Sequence, residues 1–595
     1  MFETESFENK GGWVVDQQFM DQMGSPFLLA HGLGRAVADA STRIELPETG
    51  KYRVLARTRN WVAHWTAKDP PGRFKIGINK TLLPVELGTN GKEWGWQEAG
   101  TVTLEKGVHT LSLHDLTGFE GRCDAVLLTT DPSFQPPSEV RALEEFRRKC
   151  GLIPQAKQEE KVDLIVVGGG IAGTCAAISA SRLGLTVALL QDRPLLGGCN
   201  SSEVRVHLGG RLHQRPYPKL GDVVAEIGPA KGGNAKPASQ YEDQRKLDVV
   251  AAEKNIRLFL NTRGIAVEKS GNKITAVIGR NIISGLETRF TAPLVVDCTG
   301  DGSIGMLAGA EYRYGRESKA ETGESTAVDK ADSRTMGSSV QWYSKKGTAP
   351  SSFPKIGWGL PFTDKNCERV TMGEWTWETG MNLDQINDFE KVRDYGMLVI
   401  YSNWSFLKNS SRFKKSYANR ELDWVAYVAG KRESRRLMGD FLLKEQDVTG
   451  GKVYPDGTAC STWSVDLHYP DPRNTKNFPG REFKSIAKHI RIYPYPIPYR
   501  CLYSKNIGNL FMAGRNISVT HVALGTVRVM RTTGMMGEVV GMAASICKKN
   551  GCMPRDVYTS HLDDLKVLME KGVGTGKPQP AQRYNLGAGL IRKAR

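Results

Sequence analysis

Gly168, Gly170 and Gly173 stand in the order G-x-G-x-x-G, where the apolar run VDLIVV gives way to the small-residue run IAGTCAAISASRLG. That spacing suits a dinucleotide. The first glycine permits a tight turn, the second lets backbone approach a pyrophosphate, and the third lets strand and helix pack closely. Ile171 and Ala172 then open a helix whose N-terminus faces the anion. A chance glycine cluster predicts neither flanking element. About 20 residues on, such folds place a side chain on the ribose hydroxyls. Here that place falls to Gln191 or Asp192. Successive strand side chains face opposite ways, so one of the two reaches the ribose, and Gln191 is favoured.

A second turn, Gly197-Gly198, leads into Asn200 and Ser201, which could donate hydrogen bonds to phosphate; turn formation explains them nearly as well. Cys199 lacks a partner in the sequence and receives no chemistry. The ten cysteines include no C-x-x-C, which leaves no metal ligand set and no dithiol centre to expect.

The elements that position these residues follow from period. VDLIVVGGG is a buried strand, IAGTCAAISASRLG a helix and LTVALLQD a second strand. YEDQRKLDVVAAEKN reads as a helix, IRLFLNT as a strand, and PLVVDCTG as a further buried strand beyond a polar meander. NLFMAGRN is an apolar strand ending in a glycine turn, and LGTVRVMRTTGMMGEVVGMAASICKK reads as one closing helix. Before all this, KYRVLARTR, GRFKIGIN, TVTLEKG, HTLSLHDL and DAVLLTT alternate apolar and polar residues between turns, the pattern of an antiparallel β-sandwich. A helix capped by Ser138 and stopped near Gly151 links the two.

Three separated segments resemble FAD-dependent oxidoreductases of the broad group containing glutathione reductase and fumarate reductase flavoproteins. They are GGGIAG, then LVVDCTGDGSIGMLAGA with Thr299, Gly300 and Asp301, then NLFMAGRN with Gly514 and Arg515 followed by GTVRVMRTTGMMGEVVGMAA. GGCNSSEVRVHLGG, GKRESRRLMGD and AGRNISVTHVALGTVRVM are similar to a subgroup frequent in polysaccharide-degrading bacteria, some of whose members carry an N-terminal β-sandwich. The resemblance implies FAD as cofactor. It implies an α/β fold: a doubly wound FAD-binding Rossmann-type domain with an inserted antiparallel substrate domain, preceded by an all-β sandwich. The expected divisions are 1–135 for a sandwich like a carbohydrate-binding module, 136–158 for a helical connector, and 159–310 for the first part of the FAD-binding domain. A substrate domain is expected over 311–500, the closing part of the FAD-binding domain over 501–550, and a C-terminal helix and tail over 551–595. At Gln191 the chain departs from the glutamate usual in such proteins.

A flavin supplies hydride chemistry, so the protein must orient a C–H bond and move one proton. His521, between the last strand and the closing helix, is the first choice of base; a histidine satisfied inside the core is the competing reading. His207, in SSEVRVHLGG, is the second choice, against a structural role in a strand. Arg528 could offset negative charge on reduced flavin or contact the pyrophosphate, against a structural ion pair. Arg205 is placed with the cofactor, although its alternation with Val204 and Val206 also suits a strand with one polar face. Trp375, Trp377, His468, Tyr493 and Tyr495 make an aromatic region on which sugar rings would stack, although aromatics more often build core, and the same choice applies to Trp61, Trp65, Trp94 and Trp96.

The 595 residues, 40% hydrophobic and 24% charged, exclude a disordered or fibrous chain. No apolar run is long enough to span a membrane and no export signal is read, so the compartment is cytoplasmic by default, and periplasmic or secreted if a leader has been removed. A net charge of +17 without a nucleic-acid motif argues against nucleic acid as the partner. The expected partners are a small-molecule or glycan substrate and an electron acceptor whose identity the sequence leaves open, as it does the number of subunits. The expected reaction is hydride transfer from a carbohydrate-like hydroxyl or C–H centre to the flavin. The alternatives are a flavin-dependent monooxygenase or reductase, and a glycan or polyanion binder with structural FAD.

Overall fold

The computed structural model describes residues 1–154 and 158–575. The parts of the expected connector and tail at 155–157 and 576–595 lie outside the described residues.

Five short apolar runs build one parallel sheet: β1 (Leu164–Val167), β2 (Val187–Leu190), β3 (Ile256–Phe259), β4 (Leu294–Asp297) and β5 (Leu510–Met512), in the order β3-β2-β1-β4-β5. Runs such as LIVV and VALL are buried throughout, as strands covered on both faces must be. Four helices matter for the site: α1 (Ile171–Arg182), α2 (Phe389–Asn409), α3 (His521–Val527) and α4 (Met530–Asn550). Small residues let α4 lie directly on α1. A Cβ at Gly537 would come within 2.1 Å of the Ala172 carbonyl oxygen, so that contact admits only glycine. The polar meander forms a separate four-stranded sheet of Gln158–Lys161, Thr262–Ser270, Lys273–Asn281 and Glu287–Thr291.

Residues 2–129 form three antiparallel sheets, with Gly50–Thr58, Gly95–Leu104 and Ala125–Thr129 together in one, and Ala40–Leu46, Phe74–Ile78 and Gly107–Asp115 in another. Their inward residues, among them Val54, Ile76, Leu111 and Leu113, make a core of their own. This unit docks on α2 through buried charge: Arg122 donates to Glu390 at 2.7 Å and to Asp394 at 3.0 Å, and Arg393 donates to Asp16 at 2.7 Å. Trp61 stacks edge-on against Trp358 at 5.6 Å and the Trp94 indole donates to Glu390, so these aromatics pack the junction.

Three expectations change. The closing helix is two helices, α3 and α4, because the chain is extended at Val529 (ψ 140°) and Arg528 turns toward Asp466. The connector helix (Val140–Lys149) is capped by the Glu139 carboxylate, which accepts from Ala142 N–H at 2.9 Å, rather than by Ser138. Helix α2 was not expected at all; it is buried nearly all round, so it shows no one-sided apolar stripe. Among the described residues no helix is long and apolar enough to cross a membrane.

Candidate active site

A cavity of about 550 Å³ opens at the carboxyl ends of β1, β2 and β4, the place where open α/β sheets bind ligands. The glycine turn lines it, and each glycine has a separate reason. Gly168 sits at φ +104°, and a Cβ there would meet the Cys298 carbonyl oxygen at 2.3 Å. At Gly173 a Cβ would lie 1.9 Å from the Gly168 carbonyl oxygen, so strand and helix could not close up. A Cβ at Gly170 would meet nothing nearer than the Gly198 Cα at 3.9 Å, so that side of the turn stands open. Ile171 and Ala172 follow at the wall, at the N-terminus of α1.

Gln191 borders the cavity, but its side chain is spent on the protein: Oε1 accepts from Gly169 N–H at 2.8 Å and Nε2 donates to the Leu195 carbonyl at 2.9 Å. It therefore braces the glycine turn. Asp192, also at the wall, lies 3.4 Å from Arg263, whose other guanidinium nitrogen is 2.8 Å from Asp21.

Thr299, Gly300, Asp301, Gly514 and Arg515 meet at the wall next to β4 and β5. Burial alone would raise the Asp301 carboxyl; Lys431 at 2.7 Å and Arg515 at 2.6 Å hold it well below the usual range instead. The Nε of Arg515 and that of Arg528 are buried and find no hydrogen-bond partner among the described residues.

Gly198 lines the cavity; Asn200, Ser201 and Arg205 do not. Asn200 Nδ2 donates to the Val206 carbonyl and Ser201 Oγ to the Gly198 carbonyl, both at 2.8 Å, so they shape the turn behind the wall. The Arg205 guanidinium lies 3.9 Å from the centre of the Trp424 ring. All three side chains are thus engaged by the protein itself.

His521, the first choice of base, is likewise engaged by the protein. It begins α3 with its ring turned into a buried ionic cluster: Nδ1 lies 2.8 Å from Glu433, and Arg436 joins Glu433 at 2.6 Å and Glu317 at 3.0 Å. It is absent from the cavity wall among the described residues. His207 is at the wall. Its backbone N–H donates to Asn234 Oδ1 at 3.0 Å, which identifies that atom as oxygen, and the same oxygen lies 2.8 Å from the ring Nδ1. An oxygen that only accepts requires a proton on Nδ1, so of the two ring nitrogens Nε2 is the one that can act as acceptor.

Also at the wall, Arg528 donates to Asp466 at 2.9 Å and lies 3.1 Å from His468 Nε2, while His468 Nδ1 is 2.5 Å from Glu378. Burial would raise the Glu378 carboxyl, but Arg432 and His468 pull it down to about 2. Trp375 and Trp463 line this end, with Trp375 5.3 Å from the His468 ring. Trp377 and Tyr495 are core, and Tyr493 is exposed. Sequence reasoning missed Asn234, Glu378 and Asp466 as partners, because each bond joins loops or strands with no common spacing.

The residues present fit a dinucleotide flavin: an open glycine turn and helix N-terminus, two buried guanidinium nitrogens without partners among the described residues, and one cavity that also reaches the His207 ring. A family model described as FAD dependent oxidoreductase matches residues 163–566. The chain is 24% identical over 160 residues to mitochondrial dihydrolipoyl dehydrogenase of Pisum sativum, covering 24% of this chain and 32% of that protein. It is 33% identical over 87 residues to aerobic glycerol-3-phosphate dehydrogenase of Staphylococcus aureus, covering 15% of each. The chain thus spans about a third or less of the length of these curated relatives. Among solved structures, a geranylgeranyl bacteriochlorophyll reductase-like protein of Thermoplasma acidophilum aligns at a TM-score of 0.30 and 14% identity, over 69% of this chain and 84% of that one. A myxobacterial FAD-dependent chondrochloren halogenase aligns at 0.31 and 14%, over 69% and 79%.

Proposed function

We propose that this chain, which belongs to the FAD-dependent oxidoreductase family, oxidises a hydroxyl-bearing carbon of a carbohydrate-like substrate, with His207 as the proton acceptor. The observation that carries this reading is the fixed tautomer of His207 at the wall shared with the glycine turn. FAD is the cofactor, and when bound it supplies a two-electron, hydride-accepting ring.

The chain's own residues would then divide the work. The backbone at Gly168, Gly170 and the start of α1 would hold the pyrophosphate, and Thr299, Gly300, Gly514 and Arg515 would continue the wall beside it. His207 Nε2 takes the hydroxyl proton as the neighbouring C–H is lost as hydride, so the substrate carbon becomes a carbonyl. Asn234 keeps Nε2 in the accepting form. Arg528, fixed by Asp466, places positive charge at the reacting end. The faces of Trp375 and Trp463 suit a sugar ring, since the apolar side of a pyranose packs on an indole. The three N-terminal sheets are read as a β-sandwich that supports this site, and the sheets within 311–500 as an inserted substrate domain.

The test is anaerobic mixing of the FAD-loaded protein with a panel of sugars, glycosides and acidic glycans. Bleaching of the flavin band by one sugar class is the expected result; no bleaching by any of them, in protein that carries flavin, would overturn the substrate assignment.

A further inference from the structure

The cavity wall contains four residues from far outside the family's segment: Gln17, Gln18, Asp21 and Gln22, at and beside the short helix Met20–Met23 of the N-terminal unit. They are held in place from two sides. Toward the parallel sheet, Asp21 lies 2.8 Å from Arg263, and Arg263 lies 3.4 Å from Asp192, the residue just beyond β2. Toward the middle of the chain, Gln18 donates to the Tyr427 carbonyl at 2.9 Å and accepts from Ala429 N–H at 3.0 Å. Phe19 packs on Phe389 at 5.7 Å between ring centres, and Gln22 hydrogen-bonds the Ile386 carbonyl. Ile386, Phe389, Val428, Ala429 and Lys431 continue the same wall.

We propose that this N-terminal strip closes the adenosine end of the FAD site, so that retention of the cofactor depends on the first 25 or so residues. The direction follows from Asp192. In a G-x-G-x-x-G fold the ribose next to the adenine lies at the end of the second strand, and Asp21 is tied to that strand end through one guanidinium. The strip spans from there to the 427–431 segment, and thus shuts that end of the cavity against water. A polar group that loses its water must find partners in the protein; Gln17 stands at this wall, and Gln18, whose amide is bonded to Tyr427 and Ala429, holds the strip against it. The inference rests on FAD as the cofactor; it does not depend on the sugar or on His207.

The experiment measures binding, not turnover. Apoprotein of the full chain is titrated with FAD by flavin fluorescence and with ADP by calorimetry, for wild type, Asp21→Ala, Asp21→Glu and Gln18→Ala, with circular dichroism and Tm recorded for each apoprotein. The Asp21 side chain is about half exposed, so its loss leaves the fold intact. The account expects Asp21→Ala and Gln18→Ala to weaken both FAD and ADP by about tenfold or more, and Asp21→Glu to recover most of the affinity. FAD binding within about twofold of wild type in both variants would overturn the proposal. So would loss of FAD affinity with ADP unchanged, which would move the strip to the flavin end. Wild-type protein that takes up no FAD would overturn the cofactor itself along with it.

Discussion

A single oxygen, Asn234 Oδ1, lies 3.0 Å from the backbone nitrogen of His207 and 2.8 Å from the Nδ1 of the same residue. One acceptor therefore fixes both the backbone and the tautomer of the histidine, and the base-ready nitrogen is the one left over.

Asn234→Leu removes that acceptor at nearly constant volume. Turnover is expected to fall by about 10- to 100-fold, since the ring then samples both tautomers and more than one rotamer. FAD content, read as absorbance per protein, stays at the wild-type level. Asn234→Asp keeps an acceptor and adds charge that favours a proton on the ring. Its rate profile should shift to higher pH, whereas a merely structural Asn234 would give the same profile in both forms.

Two glycines of one motif should fail in different ways. Gly173→Ala has no room at 1.9 Å from a carbonyl oxygen, and is expected to cost ~3 kcal/mol or more in stability of the apoprotein. Gly170 is extended (φ −66°, ψ 179°) and faces open space, so Gly170→Ala should fold within about 1 kcal/mol of wild type yet carry little FAD. Denaturant melts paired with flavin absorbance separate the two.

Burial pushes the Glu538 carboxyl, which accepts from Gly221 N–H at 3.0 Å, up to about 8 from an ordinary 4.5. The folded state thus keeps a proton that the unfolded chain gives up, and the contribution to stability is complete below 4.5 and lost as pH rises through 8. Glu538→Gln should be free of this loss. Measured across pH 5 to 9, the Tm of wild type minus that of the variant is expected to fall with rising pH; a constant difference would contradict it.

The parallel sheet was legible because its strands are continuous apolar runs set off by glycine turns, and Gly168, Gly170 and Gly173 turn out to do three separable things that the spacing implies. Thr299 to Asp301 and Gly514-Arg515, singled out from separate segments of the sequence, line one cavity with the glycine turn. The proton chemistry was not legible. His521 and His207 both stand near cofactor motifs in sequence, and only the fold shows that Glu433 and Arg436 claim the first while Asn234 orients the second. Asp21 lies over 240 residues from Arg263, and no local pattern marks such a pair. Helix α2 was hidden by burial on all sides, which erases the periodicity that reveals surface helices.

The most direct test is single-turnover reduction: FAD-loaded wild type and His207→Gln are mixed anaerobically with the sugar that bleaches the flavin best, and the absorbance near about 450 nm is followed in time. The account predicts that the variant binds FAD normally and is reduced about 10²- to 10⁴-fold more slowly, the usual contribution of a positioned base. Equal rates in the two proteins would contradict it, and would take the proton from some group other than His207.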